Sequence, residues 1–277
     1  MRIEDYPPQE PLGEFAQKYH DEAIRRSQGL DGEEFAYGDD PYQRLIVFTA
    51  EPKARAGDVL VFLHGGGWTN GYKEWMSFMA PALTAAGITF VTAGYRLAPQ
   101  HTFPAGFEDT LAAIAWVHGH IARHGGDPTR LFVGGHSAGG HYAALMALRT
   151  DWQARHGLPA DVIRGALPIS GTFYFTEGSG LSVRPRFLGP PAEGNEVEAS
   201  PMTHVRGDAP PMLVAHGDQD FPHLMRQAEA FEAAMRAAGA DVERLVLPGR
   251  NHGSASFAAG EADGPWVAPA VNWMRRH

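Results

Sequence analysis

Five short runs in this chain are apolar almost without interruption: 58–64 (DVLVFLH), 88–94 (ITFVTAG), 130–135 (RLFVGG), 211–216 (PMLVAH) and 242–247 (VERLVL). A strand with one wet face alternates apolar and polar residues, whereas a strand covered on both faces reads as a continuous apolar run. Between the runs lie Ala-rich stretches with apolar spacing near 3.6, at 73–86, 105–124, 137–149 and 223–239, the last stopping at Gly239 as a helix C-cap would. Strand and helix in alternation, with strands buried on both faces, imply a parallel sheet with right-handed crossovers and helices on each side. Two further runs, 44–50 (RLIVFTA) and, more weakly, 162–169 (VIRGALPI), read as additional strands, and a helix over about 12–28 precedes the sheet. Residues 172–210 are the longest stretch without period, and a loop of that length in a compact domain is functional or partly helical. A chain of 277 residues suffices for one such α/β unit.

Charge and cysteine content exclude several function classes. With 23 Lys and Arg against 32 Asp and Glu, the formal net charge is −9, the opposite of the clustered basic surface that neutralises nucleic-acid phosphates. There is no Cys, which removes disulfides, thiolate catalysis and Cys-ligated zinc. No apolar run approaches the 18 or more residues of a bilayer span, and the opening residues MRIEDYPP lack the basic and apolar regions of a secretion signal. The expectation is a cytoplasmic protein that acts on a small molecule, with no nucleic acid and no membrane as partner. An exposed edge strand leaves a homodimer open.

Chemistry concentrates where the apolar runs end. Gly135-His136-Ser137-Ala138-Gly139 has the form G-x-S-x-G, with an apolar run (Leu131-Phe132-Val133) leading in and an Ala/Leu helix leading out. A serine on a sharp strand-to-helix turn is held in strained backbone with its hydroxyl exposed above the sheet, so Ser137 is the candidate nucleophile. Three consecutive glycines in His64-Gly65-Gly66-Gly67-Trp68 follow another strand and let amide groups turn toward one point. The amides of Gly66, Gly67 and Ala138 are therefore the candidate oxyanion hole.

An activated serine needs a base, and the base an orienting carboxylate. Gly217-Asp218-Gln219-Asp220 follows the run 211–216, and Asn251-His252-Gly253 follows 242–247. In the chain order serine, acid, histidine, this selects Asp220 as the acid and His252 as the base. Asp218 reads as a turn-former that bonds its own backbone. Among the other histidines, His64 reads as a structural hydrogen-bonding group, His216 as strand-terminal, His223 as helix-initial and His277 as terminal. His118, His120 and His124 share a helix but read as solvated or simply hydrogen-bonded, so no metal and no organic cofactor is expected.

The set HGGGW (64–68), YRLAP (95–99), FPAGFED (103–109), GHSAGG (135–140), Asp220 and His252 resembles the α/β-hydrolase fold, within it the hormone-sensitive-lipase-like esterases and the neighbouring kynurenine formamidases. The resemblance runs from about residue 33 onward. It implies a mostly parallel eight-stranded sheet flanked by helices with no large cap domain, a single catalytic domain over 33–277, an N-terminal helical or lid segment over 1–32, and structural roles for Arg96 and Asp109. Trp68, the segment YGDDPYQRL (37–45) and His136 lean toward the formamidase branch, while the third glycine and the YRLAP–FPA–ED run are common among the esterases.

These residues point to acyl transfer to water through an acyl-serine intermediate. Short-acyl or aromatic esters are the favoured substrates, because about 40 residues between 170 and 211 are too few for a large lid over long acyl chains. The alternatives are N-formylkynurenine or another small amide as substrate and, in a different class, a non-catalytic small-molecule receptor. Trp68, Phe173, Tyr174 and Phe221 are the candidate substrate-pocket residues.

Overall fold

The computed structural model describes residues 2–176, 178–183, 185–190 and 194–277. Eight strands form one sheet: β1 (Glu33–Ala36), β2 (Arg44–Phe48), β3 (Val59–Leu63), β4 (Thr89–Ala93), β5 (Leu131–His136), β6 (Ile163–Ile169), β7 (Met212–Gln219) and β8 (Val242–Asn251). Their order is β1-β2-β4-β3-β5-β6-β7-β8. The pairs β1–β2 and β2–β4 are antiparallel, and every other pair is parallel.

Period-2 geometry explains the apolar runs. In β3, Val59, Val61 and Leu63 join one core cluster and Leu60 and Phe62 the other, so successive side chains serve opposite faces and both are covered. The helices described are α1 (Glu14–Ser27), α2 (Ala80–Ala85), α3 (Ala105–His120), α4 (Ala138–Leu148), α5 (Asn195–Ala199), α6 (Pro222–Ala237), α7 (His252–Phe257) and α8 (Val267–Arg276). Side chains of α3, α4 and α6 complete the first core, and those of α2, α7 and α8 the second, joined by Tyr19 and Ala23 of α1.

Differences from the sequence reading have local causes. The stretch 73–86 is not one helix but a 3-10 segment (Lys73–Met79) followed by α2. Pro81 has no amide hydrogen and its ring crowds the preceding turn, so it is accommodated only in a first turn. Gly239 behaves as expected, with φ +83°, while the amide of Ala240 reaches back to the carbonyl of Met235. The stretch 172–210 is partly helical, through α5 and the 3-10 segment Pro201–His204, and its residues 177, 184 and 191–193 lie outside the described residues. The edge strand β1, with two glutamates and with its end residues Glu33 and Ala36 exposed, carries no apolar run.

The chain leaves β3 to one side, toward β4, and returns on the other, through β5. The carboxyl ends of β3 and β5 thus flank a topological switch point, where open α/β sheets place their ligands. The turns after β7 and β8 end on the same edge. Nearby, Arg96 grips the buried Asp109 with two guanidinium contacts of 2.7 and 2.8 Å and its own amide at 2.8 Å, and Gln43 adds a fourth at 2.7 Å. This closed ion pair anchors the loop after β4 to α3.

Candidate active site

Ser137 occupies the single-residue turn between β5 and α4 at φ +55°, ψ −115°, a conformation that costs a non-glycine residue of order 1–3 kcal/mol. The turn closes tightly on its neighbours. The Ser137 amide donates to the Ile169 carbonyl at 2.9 Å, and a β-carbon at position 139 would lie 2.2 Å from the Leu63 carbonyl oxygen. Only glycine at 139 lets the start of α4 approach the end of β3, which sets the hydroxyl beside the glycine loop.

His252 begins α7 directly after Asn251, whose side chain and backbone exchange hydrogen bonds with Ser254 in a capping box. Its Nδ1 lies 2.9 Å from Asp220 Oδ1 and its Nε2 lies 3.0 Å from Ser137 Oγ. An ionised carboxylate can only accept, so Nδ1 carries the hydrogen and Nε2 presents its lone pair to the serine hydroxyl. Burial by itself would raise the pKa of Asp220. Hydrogen bonding and charge from His252, with further bonds from the Ser170 hydroxyl and the Phe221 amide, overcome that and bring it down to about 2. Asp220 is thus an anion across the neutral range.

The loop after β3 runs through positive φ at Gly66 (+116°), Gly67 (+62°) and Trp68 (+64°). It folds onto itself through bonds from the Thr69 and Asn70 amides to the Gly66 carbonyl, while the amides of Gly66 and Gly67 have no acceptor among the described residues. Ala138 is the first residue of α4, where helical amides lack an intrahelical partner. Gly66, Gly67, Ser137 and His252 line one cavity of about 370 Å3.

The N-terminal segment supplies much of the remaining wall: Pro11, Leu12, Phe15, Ala16 and Tyr19. The Tyr19 ring stacks on Phe257 at 5.1 Å, and its hydroxyl is 2.9 Å from the Ser256 hydroxyl, so α1 is docked on α7. Gln9 exchanges two hydrogen bonds with the backbone of Gly71, and Asn70 Nδ2 donates to the Glu10 carbonyl, fastening the segment to the glycine loop. Arg186 lines the rim, paired with Glu10.

Of the four candidate pocket residues, Phe221 lines the cavity, with its ring 4.7 Å from that of His252. The other three do not line it. Trp68 is turned inward by its left-handed backbone, donates from Nε1 to His141 Nδ1 and stacks on Phe187 at 4.3 Å. Phe173 is fully buried against Phe231 of α6 at 4.3 Å, and Tyr174 is half-buried beside it, both amides donating to Gln227. The apolar patterning of these residues reflects core packing. The wall residues of α1 were legible only as a helix; nothing in their spacing shows which face meets the cavity.

The competing polar residues have structural partners. Asp218 accepts from the Gly249 amide at 2.8 Å, and His216 faces Arg244. His64 stacks on Tyr95 at 4.2 Å and donates to the Gly65 carbonyl. His120 donates to the Trp116 carbonyl and His124 sits 3.4 Å from Glu33. Among the described residues no cluster of His, Asp or Glu is arranged to hold a metal ion. No described helix is long and apolar enough to cross a membrane. His136, the residue before the serine, enters the sequence reading only as a feature leaning toward the formamidase branch. Its Nε2 donates to the His252 carbonyl at 2.9 Å, tying the end of β5 to the start of α7.

A family model for the alpha/beta hydrolase fold matches residues 60–256. The chain belongs to the alpha/beta hydrolase fold family. Within this family it is similar to esterase LipC of Mycobacterium tuberculosis, at 32% identity over 83% of this chain and 62% of that protein. Carboxylesterase NlhH of the same organism is also 32% identical, over 76% of this chain and 72% of its own length. The chain spans less than two thirds of LipC and 55% of the related esterase LipQ. Among solved structures, a thermophilic esterase from Thermogutta terrifontis with propionate bound is 25% identical, with a TM-score of 0.74 over 90% of this chain and 95% of that one. An esterase from Pyrobaculum calidifontis, at 21% identity and a TM-score of 0.77, shares the fold.

Proposed function

We propose that this chain is a serine esterase that hydrolyses small carboxylic esters through an acyl-Ser137 intermediate. The observation that carries the reading is the continuous chain from Ser137 Oγ through His252 to Asp220, at 3.0 and 2.9 Å, opening on a cavity that Gly66 and Gly67 also line. The hydroxyl attacks the ester carbonyl as His252 Nε2 takes its proton, and Asp220 stabilises the imidazolium that forms. The amides of Gly66, Gly67 and Ala138 receive the oxyanion, at a site fixed before substrate arrives. His252 then returns the proton to the departing alcohol, and the same steps with water release the acid. The named esterase relatives support ester chemistry.

The cavity favours small acyl groups. About 370 Å3 lies near the lower end of ligand pockets, and Pro11, Leu12, Phe15, Tyr19, Trp75 and Phe221 give it an apolar wall. The segment 1–32 acts as a fixed lid over this cavity in our reading. Turnover of p-nitrophenyl acetate, butyrate and octanoate tests the size limit: kcat/KM for butyrate should exceed that for octanoate by at least about tenfold, since unburied methylenes lose binding energy in the transition state. A higher kcat/KM on N-formylkynurenine than on any of these esters would move the assignment to amides.

The glycine loop offers a separate test. A β-carbon at position 66 would fall 2.0 Å from the Asn70 carbonyl oxygen, in a backbone conformation that side chains rarely adopt. Gly66→Ala therefore displaces the loop amides, and kcat should fall by about 10²–10³, the usual cost of a lost oxyanion donor. Steady-state kinetics on p-nitrophenyl acetate measures it; an unchanged kcat would place the oxyanion elsewhere.

A further inference from the structure

The carboxylate of Asp220 has two oxygens with different partners. Oδ1 accepts from His252 Nδ1 and from the Phe221 amide at 2.7 Å, whereas Oδ2 accepts from the hydroxyl of Ser170. Ser170 lies immediately beyond β6, between the nucleophile and acid strands. It is 2% exposed and sits at φ +52°, where glycine would be comfortable and serine is strained. Its amide donates to the Ala215 carbonyl of β7 at 2.8 Å, and its neighbour Ile169 accepts from the Ser137 amide. The residue is thus tied at once to the turn that carries the nucleophile and to the strand that delivers the acid.

We infer that Ser170 is a positioning residue for the reaction proposed above: its hydroxyl holds the Asp220 carboxylate in register with His252 and takes up part of its negative charge, which sets the basicity of the histidine. The inference rests on the esterase reading. A strained serine at a site that glycine would fit without strain is explained by a need for the hydroxyl. Where only backbone shape mattered, glycine would serve. Loss of this donor leaves more charge on Oδ1 and strengthens its hold on the protonated His252 ring. The other titratable groups that act on this pair are His136 at the end of β5 and His223 on α6, and the substitutions below leave both in place.

The experiment compares wild type, Ser170→Ala and Ser170→Gly. Both variants lack the hydroxyl, and glycine also relieves the backbone, so at least one retains the fold; thermal melting and labelling of Ser137 by a fluorophosphonate verify this. In both, kcat on p-nitrophenyl acetate should fall by about tenfold with KM within about twofold, as for loss of an interaction made in the transition state. The acidic limb of the kcat/KM profile should move up by about 0.5–1 pH unit, the scale of one lost hydrogen bond to a charged group. A Ser170→Gly enzyme with wild-type kcat, or with reduced kcat and an unmoved acidic limb, overturns the inference. A wild-type protein that neither labels at Ser137 nor turns over any ester overturns the esterase reading itself, which is a distinguishable result.

Discussion

Ser137→Ala is expected to fold as wild type and to lose roughly 10⁴-fold or more in kcat, on the scale seen when the nucleophile of a Ser-His-Asp unit is removed. The hydroxyl is the only part of Ser137 that the change removes, and the turn around it is held by backbone: its amide bonds to Ile169, and its carbonyl accepts from the His141 amide at 3.0 Å. Alanine keeps both. His252→Ala should cost a similar factor, and the double variant little more than either alone, because the groups act as a unit and removing one member disables the rest. The amides proposed to receive the oxyanion remain in every case, so residual turnover above the rate in water is expected. The measurement is kcat on p-nitrophenyl acetate beside a thermal melt; near-native turnover in folded Ser137→Ala would remove this serine from the chemistry.

Acid should begin to destabilise this protein above the pH range in which carboxylates take up protons. Three buried imidazoles are held neutral: burial pushes His64 down to about 4 and His136 and His141 down to about 3. The structure shows why protonation is resisted. Each ring already spends its one hydrogen on a carbonyl, of Gly65, His252 and Ala199 respectively. The remaining nitrogen is buried without a partner in His64 and His136, and in His141 it accepts from Trp68. A second proton would therefore have no acceptor. Once unfolded, the same rings take up protons near pH 6.5, so below that pH the unfolded state binds more protons and stability falls as pH drops.

Each group contributes about 1.4 kcal/mol per pH unit over the interval between its unfolded and folded values. Three together give about 4 kcal/mol per unit below pH 6, and two units remove about 8 kcal/mol, comparable with the 5–15 kcal/mol that a typical domain has. Asp220, lowered to about 2, adds loss of the same sign only below the ordinary carboxylate range. Urea titrations at pH 7, 6, 5 and 4.5 should show this slope, and His141→Gln should reduce it by about a third, whatever it does to stability at pH 7. A free energy that stays level from pH 7 to 5 would contradict the buried neutral histidines.

The parallel sheet and the sharp turn that carries Ser137 were legible from residues alone because their signals are local. Strands buried on both faces must be apolar throughout, and a serine at a sharp turn between strand and helix needs small neighbours within two residues. Asp220 and His252 could be named because each follows a strand, and parallel strands deliver all their carboxyl ends to one edge. Edge strand β1 was missed because its pairing with β2, not burial, makes it a strand. The change of helix type within 73–86 was visible in Pro81, whose effect the apolar spacing masked.

Other features depend on contacts between residues far apart in the chain, which no periodicity encodes. Phe15 and Tyr19 reach the cavity because α1 docks on α7 more than two hundred residues later, and Ser170 meets Asp220 only when β6 and β7 pair. Trp68, Phe173 and Tyr174 show the converse, since an aromatic ring beside a catalytic motif serves equally well as core or as wall. Composition and spacing indicated which backbone could form and which groups were candidates to react, because those depend on neighbours along the chain. The direction each side chain faces was decided by the packing of whole elements, because burial rewards apolar area without specifying which surface covers it.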